Sequence, residues 1–246
     1  MPIFDNYSKY YNLLYQDKDY SKESDYIQSL LQKFVPQAKK ILELGCGTGK
    51  HANLLNKKGY EVFGIDLSQK MINQAKSLDV NCSIGDVRSF RVKQKFDAVL
   101  SLFHVASYQT SNKDISDFFE TASYHLTPKG ILIFDVWYKD AVLAQLPEKR
   151  IKKLENDEIE VTRYCIPEHI QEQSLVKVHY KIEITDKKSN QKEIIEECHP
   201  MRYFSKEEID SLAELFGISI IAQEEWLTGK NPDKSTWGVC FIGRKK

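Results

Sequence analysis

Three closely spaced glycines are the residues best suited to bind a ligand. Gly45, Gly47 and Gly49 follow the apolar stretch Lys40 to Leu44, which is typical of a buried strand, and precede a helix ending near Lys58. Glycine lets a ligand approach the backbone closely at such a strand-to-helix turn. The pattern therefore predicts a ligand-binding turn, with a glycine turn that binds nothing as the alternative.

Two nucleotide-binding motifs fit these glycines only in part. A dinucleotide fingerprint, G-x-G-x-x-G, needs its third glycine at the place of Lys50, one residue after Gly49. A P-loop matches Gly49-Lys50, but Leu44 and His51 occupy its first and last places. A nicotinamide dehydrogenase and a P-loop protein are therefore disfavoured.

Alternating strands and helices position this turn. An amphipathic helix closed by Pro36, with Ser21 as its expected cap, comes first. Further helices are expected to begin at Ser68 and Ser205, the second in a capping box. The predicted strands are Lys40 to Leu44, Glu61 to Ile65, Cys82 to Ile84, Phe96 to Leu102, Ile131 to Val136, Ile218 to Trp226 and Val239 to Gly243. This order predicts an α/β fold with a mostly parallel sheet wound by helices on both faces.

Residues 150–203 show a different pattern. Apolar and polar residues alternate from Val176 to Ile184, which is typical of a strand with one wet face. Asp186 to Gln191 is expected to turn the chain, and Lys192 to Tyr203 to return beside that strand. The sequence therefore predicts an antiparallel insertion or lid within a single domain, 1–246.

Composition limits the function classes. The 246 residues carry 35 Lys+Arg and 35 Asp+Glu, so there is no basic excess for binding nucleic acid. The apolar runs are too short to cross a membrane, and the N-terminus shows no secretory signal. Five scattered cysteines predict reduced thiols and a cytoplasmic protein.

The glycine turn and four later segments together resemble the class I S-adenosylmethionine-dependent methyltransferases. Glu43-x-Gly45-x-Gly47-x-Gly49 is similar to that family's first motif, and Asp66 ends the second strand. The remaining matches are Gly85-Asp86-Val87, Phe96-Asp97 and Leu126 to Ile131. The resemblance covers about residues 40–137 and implies a Rossmann-like, seven-stranded sheet.

The resemblance also implies a cofactor site for S-adenosyl-L-methionine. Asp66 would accept hydrogen bonds from the ribose hydroxyls, Leu67 and Met71 would sandwich the adenine, and Asp86 would hold the adenine amino group. The other implied cofactor-binding residues are Tyr20, Glu43, Gly45, Cys46, Gly47, Thr48, Gly49, Val87, Leu102 and Phe103.

The N-terminal tyrosines resemble those of small methyltransferases that act on amino groups of nucleotide-linked sugars. Similar segments include Tyr11 to Tyr15, Lys18 to Tyr20 and Phe103 to Gln109. The resemblance implies that residues 1–36 cover the cofactor, with Tyr20 closing over it and Tyr11 nearer the substrate. Tyrosines that merely pack a helix onto the sheet are the alternative.

Two residues after the fourth strand compete for handling a proton. Imidazole titrates near neutrality, so His104 is the expected general base, and Tyr108 is expected to orient the acceptor. The subfamily's histidine falls at Tyr108 instead, so this order stays open. His199 and Arg202 are candidate substrate contacts, with ordinary surface residues as the alternative.

These observations predict methyl transfer to a small polar acceptor, with an amine such as an amino sugar first. An O-methyltransferase, a glycine-type N-methyltransferase and a non-catalytic cofactor-binding module are the alternatives. The histidines show no H-E-x-x-H spacing, so no required metal is expected. The oligomeric state is left open, a homodimer included.

Overall fold

A computed structural model describes residues 13–14 and 17–246. Tyr11, a predicted substrate contact, lies outside the described residues. The helices are α1 (Tyr20–Phe34), α2 (Lys50–Lys57), α3 (Gln69–Ser77), α4 (Asn112–His125), α5 (Lys139–Ala144) and α6 (Lys206–Leu215). Short 3-10 turns span Val105–Tyr108 and Gln171–Gln173.

Eleven strands occur in the described part of the chain. They are β1 (Lys40–Leu44), β2 (Glu61–Asp66), β3 (Asn81–Ile84), β4 (Phe96–Ser101), β5 (Leu126–Tyr138), β6 (Arg150–Glu155), β7 (Ile159–Ile170), β8 (Leu175–Asp186), β9 (Lys192–Phe204), β10 (Ile218–Glu225) and β11 (Gly238–Lys245). Seven of them coincide with the predicted main strands, although β5 begins at Leu126, five residues before the predicted start at Ile131.

The main sheet has the strand order β3-β2-β1-β4-β5-β11-β10. The first five strands are parallel, β11 is antiparallel to β5, and β10 is antiparallel to β11. Six of these seven strands therefore run in one direction, which confirms the predicted seven-stranded, mostly parallel sheet. The order reverses between β1 and β4, where open α/β sheets bind their ligands.

Helices cover both faces of this sheet because successive strand residues point to opposite sides. In β5, Leu132 and Phe134 face a core that contains Phe118 of α4. Ile131 and Ile133 face the other core, which contains residues of α1, α2 and α3. Both cores are fully closed to solvent at these strand positions.

The insertion is a four-stranded antiparallel sheet in the order β6-β7-β8-β9. It joins the main sheet where β9 runs parallel to the end of β5, with Trp137 opposite Tyr203 and Tyr138 opposite Phe204. The predicted pairing of the strand at Val176 to Ile184 with the segment at Lys192 to Tyr203 is confirmed. The insertion therefore packs against the end of the main sheet near Trp137.

One predicted helix start is wrong. Asp19, not Ser21, caps α1, because its carboxylate accepts a hydrogen bond from the backbone N–H of Lys22 at 2.9 Å. The helix thus begins one residue before the expected cap. The caps predicted at Ser68 and Ser205 are confirmed, since their hydroxyls accept from backbone N–H groups three residues later.

All five cysteines are free, and Cys46, Cys82 and Cys240 are buried. Within the described residues, no helix combines the length and the apolar character that a membrane span requires.

The capping contact of α1 leads to a stability prediction. Asp19→Ala should lower the free energy of unfolding by about 1 kcal/mol, because an orphan N–H of the first turn loses its acceptor. Ser21→Ala, a matched exposed control, should change it by less than about 0.5 kcal/mol. Urea denaturation of the two variants measures both values, and equal losses would contradict the cap assignment.

Candidate active site

The glycine turn after β1 adopts a conformation that requires glycine. Gly45 has φ +78°, and a Cβ at this position would lie 2.6 Å from the Val105 side chain. The backbone N–H groups of Gly45 and Cys46 both donate to the carbonyl of Ile65 at 2.8 Å. The turn is thereby fixed to β2 and pressed against the loop that follows β4.

Asp66 fixes the tip of the same turn. Its Oδ2 accepts the N–H of Gly47 at 3.0 Å, and its Oδ1 accepts the N–H of Ser68 at 2.9 Å. A Cβ on Gly47 would meet no atom within 4 Å, so open space lies above this backbone. Binding of a nucleoside at Gly47 and Asp66 stays a prediction.

Glu43 lies beneath the turn and is buried. Loss of solvation raises the pKa of Glu43 to about 8, and the nearby Asp66 charge acts in the same direction. Its Oε1 lies 3.7 Å from Nδ1 of His51. Oε2 has no hydrogen-bond partner among the described residues, which leaves a buried acceptor beside the site predicted for the cofactor.

Lys18 brings a positive charge into the same region. Its Nζ lies 3.2 Å from Glu23 and 3.4 Å from the centre of the Phe103 ring. Glu23 in turn lies 2.6 Å from Nε2 of His51. Tyr20 packs on His51 with ring centres 5.1 Å apart, so the residue expected to cover the cofactor lies beside the glycine turn.

The residues expected to hold the adenine differ in their exposure to solvent and in their partners. Leu67 is exposed, whereas Met71 and Val87 are buried. Asp86 is ion-paired with Arg88, which lowers the pKa of that carboxyl, and Arg88 also contacts Asp114. The roles predicted for these residues stay predictions, and Asp86 would share its carboxylate between Arg88 and a ligand.

The remaining cofactor residues of the prediction contribute mainly through backbone and packing. Cys46, Thr48 and Leu102 are buried, and the sulfur of Cys46 packs against Gly64. Gly49 begins α2 in the left-handed region at φ +74°. Fewer side chains therefore face the space beside the turn than the sequence predicted as cofactor-binding residues.

His104 and Asp135 form a close pair at the end of β4. The backbone N–H of His104 lies 3.2 and 3.1 Å from the two Asp135 oxygens, and its Nδ1 lies 2.7 Å from Oδ2. Phe103 and His104 both have positive φ, 65° and 63°, which non-glycine residues rarely adopt. Such strain is typical of functional sites, where surrounding contacts hold it in place.

Sequence reasoning missed Asp135. It lies at the carboxyl end of β5 and is only 2% exposed. The available signal was a single charged residue within the otherwise apolar run Ile131 to Val136, since a buried carboxylate needs a partner. Its partner is His104.

A cleft of about 290 Å³ opens beside this pair. Its walls combine carboxylates with aromatic rings and a glycine. The lining residues are Glu23, Phe103, His104, Asp135, Glu225, Trp226, Thr236, Trp237 and Gly238. The loop between β10 and β11 thus supplies one wall, which the sequence analysis did not predict.

Tyr108, His199 and Arg202 do not line this cleft. The Tyr108 hydroxyl lies 2.8 Å from Nδ1 of His199. Arg202 is ion-paired with Glu208 and donates to Asn112 at 2.9 Å. The structure therefore places these three predicted residues at the contact between the insertion and the main domain.

Metal-ligating side chains do not cluster in this region. No group of three or more His, Cys, Asp or Glu residues suited to a metal ion occurs in the part of the chain that the structure describes. Metal-independent activity stays a prediction.

Comparison with known proteins points to one family. Residues 41–130 match the methyltransferase domain family. A dTDP-3-amino-3,4,6-trideoxy-alpha-D-glucopyranose N,N-dimethyltransferase from Streptomyces venezuelae is 31% identical over 132 residues, 52% of this chain and 56% of that protein. A dTDP-3-amino-3,6-dideoxy-alpha-D-glucopyranose N,N-dimethyltransferase from Streptomyces fradiae is 24% identical over 220 residues, 85% of this chain and 82% of that protein.

The crystal structure of Streptomyces venezuelae DesVI matches the fold. It superposes with a TM-score of 0.83 at 21% identity and covers 98% of both chains. This likeness confirms the fold over the insertion as well as the main sheet.

Buried Glu43 leads to a prediction about pH. The folded chain keeps its proton up to a pH of about 8, whereas the unfolded chain releases it near 4.5. Stability from this group is therefore complete below about pH 4.5 and is lost as pH rises through 8. Glu43→Gln should gain stability over wild type in this interval, on the order of 4 kcal/mol at the upper end.

Urea denaturation across this pH interval measures the difference, with Glu61→Gln as an exposed control that should follow wild type. Parallel stability curves for wild type and Glu43→Gln would mean that Lys18 and His51 keep Glu43 ionised.

Proposed function

We propose that this chain is a class I S-adenosylmethionine-dependent methyltransferase that methylates the amine of a small polar acceptor. An amino sugar linked to a nucleotide is the leading acceptor class. The observation that carries the proposal is the cleft in which His104 and Asp135 adjoin Phe103, close to the glycine turn.

The turn and its neighbours are suited to hold the cofactor. Gly47 leaves space for it, Asp66 offers carboxylate oxygens to the ribose, and exposed Leu67 offers an apolar surface to the base. Tyr20 closes the side nearest His51. When bound, S-adenosyl-L-methionine supplies a methyl group activated by its sulfonium.

Removal of a proton from the acceptor amine is the step left to the protein. An alkylammonium must lose a proton before its nitrogen can react, and a positioned base accelerates this step. His104 Nδ1 faces Asp135, so Nε2 is the ring nitrogen available to accept the proton. Asp135 Oδ2 lies 2.7 Å from Nδ1, which forms no hydrogen bond among the described residues, so Asp135 would stabilise the imidazolium that forms through its charge.

We propose that the N-terminal segment and the insertion together limit access to the cleft. Leu14 packs into an apolar cluster of the insertion that includes Val161 and Ile182. Lys152 donates to the carbonyl of Leu14 at 3.1 Å. The chain just before Lys18 is thereby anchored on the insertion, which supports a cover formed by residues 1–36 and 150–203.

Two curated relatives support an amine as the acceptor, since both are named for N,N-dimethylation of dTDP-linked amino sugars. Incubation of the protein with S-adenosyl-L-methionine and the amino sugar named for the Streptomyces fradiae relative tests the proposal. Mass spectrometry should show a sugar that has gained one or two methyl groups. Cofactor binding without methyl transfer to any amine offered would indicate a non-catalytic binding module.

Cofactor binding gives a second test. S-adenosylhomocysteine at 100 times its Kd should stabilise the protein by about 2.7 kcal/mol. Asp66→Ala should weaken this binding at least about tenfold, because the ribose loses charged acceptors worth about 1.5–3 kcal/mol each. Isothermal titration calorimetry measures the affinity. Because Asp66 also holds Gly47, a urea midpoint separates lost binding from a loosened turn.

A stabilising shift with NAD and none with S-adenosylhomocysteine would contradict the family assignment.

The base assignment gives a third test. His104→Ala should lower kcat by about 10²–10⁴ with the Kd for S-adenosylhomocysteine retained, because the general base is lost. Higher pH should partly restore its rate, since more acceptor is then neutral. Tyr108→Phe should cost less, because Tyr108 contacts His199 outside the cleft.

Steady-state kinetics of both variants over a range of pH decide the assignment. If His104→Ala keeps nearly the wild-type kcat and Tyr108→Phe loses most of it, the Tyr108–His199 pair is the group that accepts the proton.

A further inference from the structure

All three tryptophans of the chain meet at the cleft. Trp226 and Trp237 line it, and Trp137 packs edge to face on Trp237 with ring centres 5.5 Å apart. Trp137 also lies 6.4 Å from the His104 ring. These residues come from the ends of β5, β10 and β11, so only the sheet topology brings them together.

The carboxylates of the cleft differ in their partners. Glu23 is paired with Lys18 and His51, and Asp135 with His104. Glu225 accepts the hydroxyl of Thr228 at 2.6 Å, but no ion pair to it occurs among the described residues. It is therefore a cleft carboxylate without an ion-pair partner among the described residues, and it is partly exposed to solvent.

The backbone around Glu225 is well fixed. Its N–H donates to the carbonyl of Lys230 at 2.8 Å, and its own carbonyl accepts from Thr228 and Gly229. Trp226 follows it directly, and the Trp226 ring packs on Tyr26 at 5.0 Å. The turn thus fixes the backbone of Glu225, and Tyr26 packs on the indole that follows it.

A cleft lined by a carboxylate and two indole rings is suited to bind an organic cation. Cation–π attraction contributes about 0.5–2 kcal/mol, and a charge-assisted hydrogen bond is roughly twice as strong as a neutral one. A hydroxyl carries no charge and gains neither. An ammonium group would therefore be favoured at this position over an oxygen nucleophile of the same shape.

We propose that Glu225, flanked by Trp226 and Trp237, is a specificity-determining residue that selects a protonated amine over a hydroxyl acceptor. The inference rests on the proposed function and deepens it, because it assigns the choice between N- and O-methylation to one wall of the cleft. Glu225 binds the ammonium as the acceptor enters, and His104 then accepts its proton.

A matched pair of sugars tests the inference. The amine probe is dTDP-3-amino-3,6-dideoxy-alpha-D-glucopyranose, and the neutral probe is its counterpart with a hydroxyl in place of the amine. Calorimetry on the protein saturated with S-adenosylhomocysteine measures both affinities without turnover. Wild type should bind the amine at least about tenfold more tightly than the hydroxyl compound.

Glu225→Gln should bring this ratio close to one, while the affinities for the hydroxyl compound and S-adenosylhomocysteine remain unchanged. Glutamine keeps an oxygen for the Thr228 hydroxyl, so the turn is preserved. Glu225→Asp, which retains the charge, should recover part of the ratio. Trp237→Leu is a second variant that should lower the ratio without touching a carboxylate, and Glu61→Gln is an exposed control.

Each outcome decides the inference. A wild-type ratio near one, failure of wild type to bind either sugar, or a ratio that survives in Glu225→Gln overturns it. The proposed function is judged separately, by S-adenosylhomocysteine binding and by methyl transfer to any amine, so it can stand when the role of Glu225 fails.

Discussion

The absence of a side chain at Gly45 is the constraint on which the site depends. Val105 occupies the space that a Cβ would need, so the turn after β1 and the loop after β4 can touch. Two N–H groups of the turn share the carbonyl of Ile65, which fixes the same turn to β2. One position without a side chain therefore places the expected cofactor turn beside His104.

Buried charge is the second organising feature. Four acids, Glu23, Glu43, Asp135 and Glu224, are almost inaccessible to solvent. Such groups are costly unless they are paired or neutralised. Glu23 and Asp135 have basic partners. Burial instead raises the pKa of Glu43 to about 8. Buried carboxylates with different partners thus lie near the glycine turn and the cleft.

The insertion and the loop between β10 and β11 serve a different purpose from the main sheet. The sheet supplies the strand ends, the loop between β10 and β11 supplies one wall of the cleft, and the insertion is part of the proposed cover. Leu14 links the two parts of the proposed cover, because its side chain packs on the insertion and its carbonyl accepts from Lys152. Specificity can therefore vary in these segments while the cofactor turn stays unchanged.

The local sequence pattern determined many of the secondary-structure elements and the predicted cofactor turn. The glycine turn, Asp66 at the end of β2 and the alternation at Val176 to Ile184 are readable because strand period, helix caps and turn chemistry act between near neighbours in sequence. The cap of α1 shows the limit of this reading, since Asp19 and Ser21 lie two residues apart and only the observed contact decides between them.

Tertiary structure decided the rest. His104 and Tyr108 lie four residues apart, yet the intervening 3-10 turn places one in the cleft and the other against His199. Asp135, Glu225 and Trp237 are distant in sequence and meet because β11 inserts antiparallel between β5 and β10. No local signal carries that pairing, because it depends on burying the apolar faces of all three strands at once.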